Sequence, residues 1–191
     1  HGWPGYEARR IKSFLEREGV EHEMLRAPIA EAVAAILSSP EQRPCSLCSR
    51  FRRGFLYTEA PRLQCNKIAL GHQLDDMVET LLLNLLFSGR LAAMPPLLTS
   101  EDGRNVVIRP LVYVTESETI AFAEERSYPI VRPACPAADR LDQRRSHVKQ
   151  LVTELERINP DCRRQMMAAM KKVVPSHLLD TRFAFGERVI G

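Results

Sequence analysis

The chain has 191 residues, 27 basic and 24 acidic side chains, a formal net charge of +3 and 45% hydrophobic residues. That composition excludes wholesale disorder and is enough to bury the core of a single domain. No apolar run approaches the roughly 20 residues of a membrane-spanning helix, and no stretch reads as a signal peptide. The five cysteines are odd in number and lack the spacing of a small secreted scaffold. A reducing, cytoplasmic setting is therefore expected, in which a CxxC pair means metal or redox chemistry. The chain opens at His1 without a methionine and is read as part of something longer.

Tyr6, Ile11, Phe14 and Leu15 recur at helical spacing, and Gly19 ends that run, so a helix is predicted over 6–19. Glu21 to Leu25 is a strand candidate. Ile29 to Leu37 is alanine-rich and helical, stopping before Ser38-Ser39-Pro40. A cysteine pair follows in a loop or helix start, and Arg50 to Thr58 continues as helix. Lys67 to Gly71 is short, apolar and glycine-bounded, the pattern of a buried parallel strand. Asp75 to Phe87 is apolar nearly all round, which predicts a deeply packed helix ended by Ser88-Gly89. Val106 to Val114 is a second strand, bent at Pro110, and Pro129 to Val131 a third candidate. Glu116 to Arg126, Leu141 to Ile158 and Asp161 to Val173 are helical, and an extended tail begins at Ser176. Strands alternating with helices predict an α/β fold with a mostly parallel sheet, residues 1–135 forming its body and 136–191 a C-terminal helical appendage.

Three features carry chemistry. Cys45-Ser46-Leu47-Cys48 runs directly into Ser49-Arg50-Phe51-Arg52-Arg53-Gly54. Such a pair can hold zinc, hold an iron–sulfur cluster or act as a redox dithiol. A redox pair opens a helix straight after a strand, whereas an alanine-rich helix and a proline precede this one. A closed zinc site needs four ligands, and no second CxxC exists. Cys135, between Pro133 and Pro136, makes three thiolates, which with one open iron suit a catalytic cluster. Cys65 reads as a buried small hydrophobe and Cys162 as incidental.

The second feature is Gly71-His72-Gln73-Leu74-Asp75-Asp76, lying between a strand and a helix. Gly71 and His72 fall at the carboxyl end of the strand, where open α/β sheets bind ligands. A carboxylate there can hold Mg²⁺ or accept a proton, and it can equally cap the helix. Arg109, ending the next strand, has the geometry to pair with phosphate. The third feature is basic clustering at Arg50, Arg52 and Arg53, at Arg140, Arg144 and Arg145, and at Arg163, Arg164, Lys171 and Lys172. Each cluster alone reads as a solvated helix face, but together they suit an RNA-sized anionic partner.

These strings resemble the PP-loop ATPases that thiolate tRNA, specifically the tRNA 2-thiocytidine synthetase (TtcA) group. The resemblance rests on Cys45 to Arg50 with Arg53-Gly54, and on Lys67 to His72 with Asp75-Asp76. It extends to Met94-Pro95-Pro96, Ile108-Arg109-Pro110-Leu111 and Val173 to Leu178. It implies an adenine nucleotide alpha hydrolase-like domain, ATP-dependent adenylation of a cytidine C2 oxygen, and sulfur transfer through a [4Fe–4S] cluster. By the same resemblance Cys45, Cys48 and Cys135 hold the cluster, while Asp75 and Arg52 act in catalysis. Gly71, His72, Asp76 and Arg109 then face ATP and Mg²⁺. The implied partners are tRNA, a cysteine desulfurase system as sulfur donor, and a second copy of the chain. The group's phosphate-binding SGGxDS string has no counterpart in these residues, so the expected domain lacks its first strand and phosphate loop. Alternatives are a relative that binds a cluster without ATP-dependent catalysis, and a sulfurtransferase with another substrate.

Overall fold

A computed structural model describes residues 7–37, 44–131 and 143–179. The helices are α1 (Ala8–Arg17), α2 (Ile29–Ile36), α3 (Cys45–Arg62), α4 (Leu74–Ser88), α5 (Glu116–Glu125), α6 (Gln143–Ile158) and α7 (Cys162–Lys171). The strands are β1 (Lys67–Ala69), β2 (Leu97–Thr99) and β3 (Val106–Ile108). They form one sheet in the order β1-β3-β2.

The α/β class holds, but the sheet is mixed. β1 pairs with β3 in parallel, Ile68 opposite Val107, whereas β2 pairs with β3 antiparallel, Leu98 opposite Val107. The reason is the length of each connection. Parallel pairing needs a crossover of about a dozen residues or more, which α4 supplies between β1 and β3. Only a tight turn separates β2 from β3. There Ser100 N–H donates to Asn105 O at 2.9 Å, and Asp102 Oδ1 accepts from the Ser100 hydroxyl at 2.6 Å.

Other expectations shift. No strand forms over 21–25 or 129–131. The predicted strand from Val106 stops at Ile108, because Arg109-Pro110 turns the chain. Cys65 is exposed, not buried, since it lies in the turn between α3 and β1 rather than in the strand. The cysteine pair resolves as a helix start: α3 begins at Cys45 itself.

Three apolar clusters hold these elements. Ala60, Ile68 and Val107 seat α3 on the sheet. Ala27, Ile29 and Val33 pack against Leu47, Cys48, Phe51 and Phe55, fixing α2 on the first half of α3. The largest joins Leu74, Met77, Val78 and Leu82 of α4 to Val112, to Val148 and Val152 of α6, and to Cys162 and Met167 of α7. The C-terminal helices thus share a core with α4. Burial is confined to the N-terminal part of α4, because Leu85, Leu86 and Phe87 in its last turn are exposed. Gly89 then ends the helix at φ 59°, the left-handed cap that glycine adopts without strain.

Candidate functional site

α3 runs past the carboxyl end of β3, where its Arg53 and Tyr57 lie near enough to Arg109 to act on its charge. Cys45 and Cys48, three residues apart in the first turn of α3, occupy one helix face. Cys45 is exposed, and Cys48 is half-buried where α2 packs on α3. Arg52, one turn further on, places Nη2 3.7 Å from Cys48 Sγ. A helix N-terminus and a guanidinium are both favourable neighbours for an anionic group. Among the described residues, no three His, Cys, Asp or Glu side chains converge as a metal site. Cys135 lies outside the described residues, so the two thiols on α3 are the part of the expected ligand set that can be placed.

The carboxyl ends of β1 and β3 carry the second group. Leu70 N–H extends the ladder by donating to Ile108 O at 2.9 Å, which brings Gly71 and His72 beside Arg109. Gly71 is exposed, and a side chain there would meet nothing within 4 Å, so the space above it is open. His72 keeps Nδ1 buried without a partner. Burial lowers its pKa below 6.5, opposed by Asp76 and reinforced by Arg109 and Arg145. Arg109 is anchored by its backbone N–H, 3.0 Å from Pro96 O, and by Nη1 on Pro95 O, while its buried Nε has no partner. Burial lowers the Arg109 pKa, Tyr57 opposes this and Arg53 adds to it. This guanidinium is underpaired, and α3 brings another cation toward it.

The two aspartates at the start of α4 do different work. Asp76 closes a capping box with Gln73, accepting the Gln73 N–H at 2.9 Å through Oδ2. Its Oδ1 accepts from Arg145 Nη2 at 2.7 Å, and Arg145 Nε reaches the buried Glu79 at 2.7 Å. Asp75 is buried. Its Oδ2 accepts the Glu116 N–H at 2.7 Å. Its Oδ1 lies 2.9 Å from Arg163 Nη1, close enough for an ion pair but not aligned as a hydrogen bond. Arg163 in turn donates to both oxygens of Glu156, at 2.6 and 3.1 Å.

Sequence reasoning misses Arg145, Arg163, Glu79 and Glu156 as parts of this site. Arg145 and Arg163 belong to basic clusters expected to face RNA, yet both turn inward to acidic partners. Arg164 also has a carboxylate partner, Glu118, at 3.4 Å. The local signal for both arginines is position: Arg145 is the third residue of α6 and Arg163 the second of α7, first-turn places where the helix dipole disfavours a cation.

No family model matches this sequence. The tRNA-cytidine(32) 2-sulfurtransferase of Geobacter sulfurreducens is 44% identical over 179 residues, covering 94% of this chain and 69% of the relative. The Geobacter metallireducens protein of the same name is 45% identical with the same coverage. That of Sorangium cellulosum is 46% identical over 183 residues, which span 63% of the relative. Among solved structures, the U34-tRNA thiolase NcsA from Methanococcus maripaludis with its [4Fe–4S] cluster superposes with a TM-score of 0.64. That match covers 90% of this chain and 59% of the other at 22% identity. The architecture is therefore the α/β fold seen in that thiolase. The chain belongs to the tRNA-cytidine(32) 2-sulfurtransferase family.

Proposed function

We propose that this chain carries out tRNA thiolation, forming 2-thiocytidine by ATP-dependent adenylation of the cytidine C2 oxygen and its replacement by sulfur. The observation that carries the reading is the thiol pair opening α3, with Arg52 on Cys48 Sγ, in a chain of this family. A carbonyl oxygen is a poor leaving group, and transfer of AMP makes it a good one. Cys45, Cys48 and Cys135 are the residues to hold a [4Fe–4S] cluster, which when bound supplies an iron free of protein thiolate where sulfide can reside. Arg52 is placed to steady negative charge beside that sulfur.

Gly71, His72, Asp76 and Arg109 form the nucleotide side. The open space above Gly71, the unpartnered Nδ1 of His72 and the unpartnered Nε of Arg109 support an anionic ligand there. ATP with Mg²⁺ has the matching charge, with Asp76 the more accessible of the two aspartates. Asp75 acts from the buried start of α4. The same reading makes residues 1–135 the nucleotide-binding body and 136–191 its helical appendage. It places the protein in the cytoplasm as a homodimer, supplied with sulfur by a cysteine desulfurase system. No helix among the described residues is long and apolar enough to cross a membrane.

The test uses the intact protein in cells lacking their own enzyme, with 2-thiocytidine in tRNA as the readout. The wild type is expected to restore the modification, and Asp75→Asn to abolish it while iron content and tRNA affinity stay near normal. Asn is the better probe than Ala, because it keeps an acceptor for the Glu116 N–H, whereas Ala also leaves Arg163 facing a void. Full modification by Asp75→Asn would remove this carboxylate from the mechanism.

A further inference from the structure

We infer that Arg163 is a positioning residue for the strand-end site, acting through Asp75 to hold the start of α4 and the Gly71–Gln73 segment in place. The inference rests on the functional reading above for what the site does, but its geometry is independent of it. Asp75 is the second residue of α4, Glu116 the first of α5 and Arg163 the second of α7. Three helix N-termini therefore meet around one carboxylate, which receives a backbone N–H from α5 and a guanidinium from α7. The side chains of Arg163 and Asp75 are 13% and 11% exposed, so solvent screens this pair little.

A cation in the first turn of a helix opposes the helix dipole, and burying it costs more still. Two carboxylates offset that cost. Glu156 takes the Nε and Nη2 edge of the guanidinium in a two-point interaction, which fixes the plane of the fork. Nη1 is left 2.9 Å from Asp75 Oδ1, an ion pair without hydrogen-bond alignment. The order of these interactions matters. Glu156 orients Arg163, Arg163 orients Asp75, and Asp75 sits three residues after His72 and next to Asp76, which caps the same helix. The α7 arginine is 88 residues from Asp75 in sequence, so it ties the C-terminal helices to the segment that faces the nucleotide.

The experiment compares Arg163→Gln, Arg163→Lys and Glu156→Gln in the intact protein. Amide hydrogen exchange is followed over residues 72–77 without ATP, alongside turnover, KM for ATP and tRNA, iron content and melting temperature. Arg163→Gln is expected to speed exchange at the start of α4 and to lower kcat by about tenfold or more, with KM changed by less than about twofold. Arg163→Lys keeps a cation within reach of Asp75, and is expected to recover part of that loss. Glu156→Gln keeps one acceptor but loses the two-point grip on Arg163, and is expected to speed exchange over 72–77 and to lower kcat, each by less than Arg163→Gln whatever its melting temperature. Losses of kcat that simply track melting temperature across the three variants would make Arg163 a structural cross-link and overturn the inference. So would unchanged exchange over 72–77 in Arg163→Gln. Should Arg163→Gln not fold, Arg163→Lys decides by the same two readouts, wild-type exchange and turnover counting against the inference. A wild-type protein that exchanges as described but forms no 2-thiocytidine would refute the functional reading alone.

Discussion

The four thiols among the described residues differ in their surroundings. Cys45 and Cys48 open α3 beside Arg52, Cys65 is exposed in a turn, and Cys162 is buried in the core shared by α4, α6 and α7. Protein purified without oxygen is expected to contain iron and labile sulfide. Substituting Cys45, Cys48 or Cys135 by Ala should remove both, while Cys65→Ala and Cys162→Ala retain them. Cys162→Ala has a separate cost of about 1 kcal/mol, because it deletes a packed sulfur from the core. Stoichiometric zinc without iron would exclude the cluster. His72 adds a pH effect with a defined sign. Its folded pKa lies below 6.5, lowered first by burial. The unfolded chain therefore binds the proton more readily, so stability is full above pH 6.5 and falls as pH drops through the lowered folded value. His72→Gln should flatten the stability profile on the acid side of pH 6.5. A slope identical to wild type there would mean that His72 titrates alike in both states.

At the scale of elements, the N-terminus of α5 offers the cleanest measurement. Thr115 Oγ1 accepts the Glu118 N–H at 3.2 Å, and Glu118 Oε2 accepts the Thr115 N–H at 2.7 Å. Thr115→Ala should cost about 1 kcal/mol in chemical denaturation. A cost near zero would show that the cap is made by water instead. The start of α5 is legible, since a helix is predicted from Glu116, and Thr115-x-x-Glu118 has the spacing of a capping box. So is the start of α4, because acidic residues after a glycine-bounded strand suit a helix N-terminus. β2 is not legible. It is three exposed residues after Pro95-Pro96, with no buried side for an alternating pattern to reveal. The candidate strands over 21–25 and 129–131 have apolar residues but find no pairing partner among the described residues, and local composition cannot supply one. The ion pairs of Asp75, Asp76 and Glu79 are hidden for a different reason. Their partners lie 66 to 88 residues away on α6 and α7, and the first-turn position of Arg145 and Arg163 does not say which carboxylate each one meets.

For the whole molecule, these inward pairs change how a net charge of +3 is to be used. Clustered arginines suggest an RNA-binding face, yet Arg145, Arg163 and Arg164 all have carboxylate partners. Reversing Arg145 would set a negative charge against Asp76 and the buried Glu79, so any weakening of RNA binding would be confounded by a loosened fold. Arg157 and Lys172 are the better probes. Both are exposed, at the ends of α6 and α7, and no carboxylate among the described residues pairs with either. We expect tRNA binding to weaken steeply with salt, because each phosphate neutralised by a cation releases condensed counterion. Reversing Arg157 and Lys172 together should weaken binding at low salt. It should also reduce the slope of log affinity against log salt by about one for each phosphate no longer neutralised. The melting temperature should stay within a few degrees of wild type, since exposed unpaired cations contribute little to stability. Arg145→Glu should instead lower both affinity and melting temperature. A wild-type affinity that does not change between low and moderate salt would remove the RNA-binding face and leave Arg157 and Lys172 as ordinary solvated side chains.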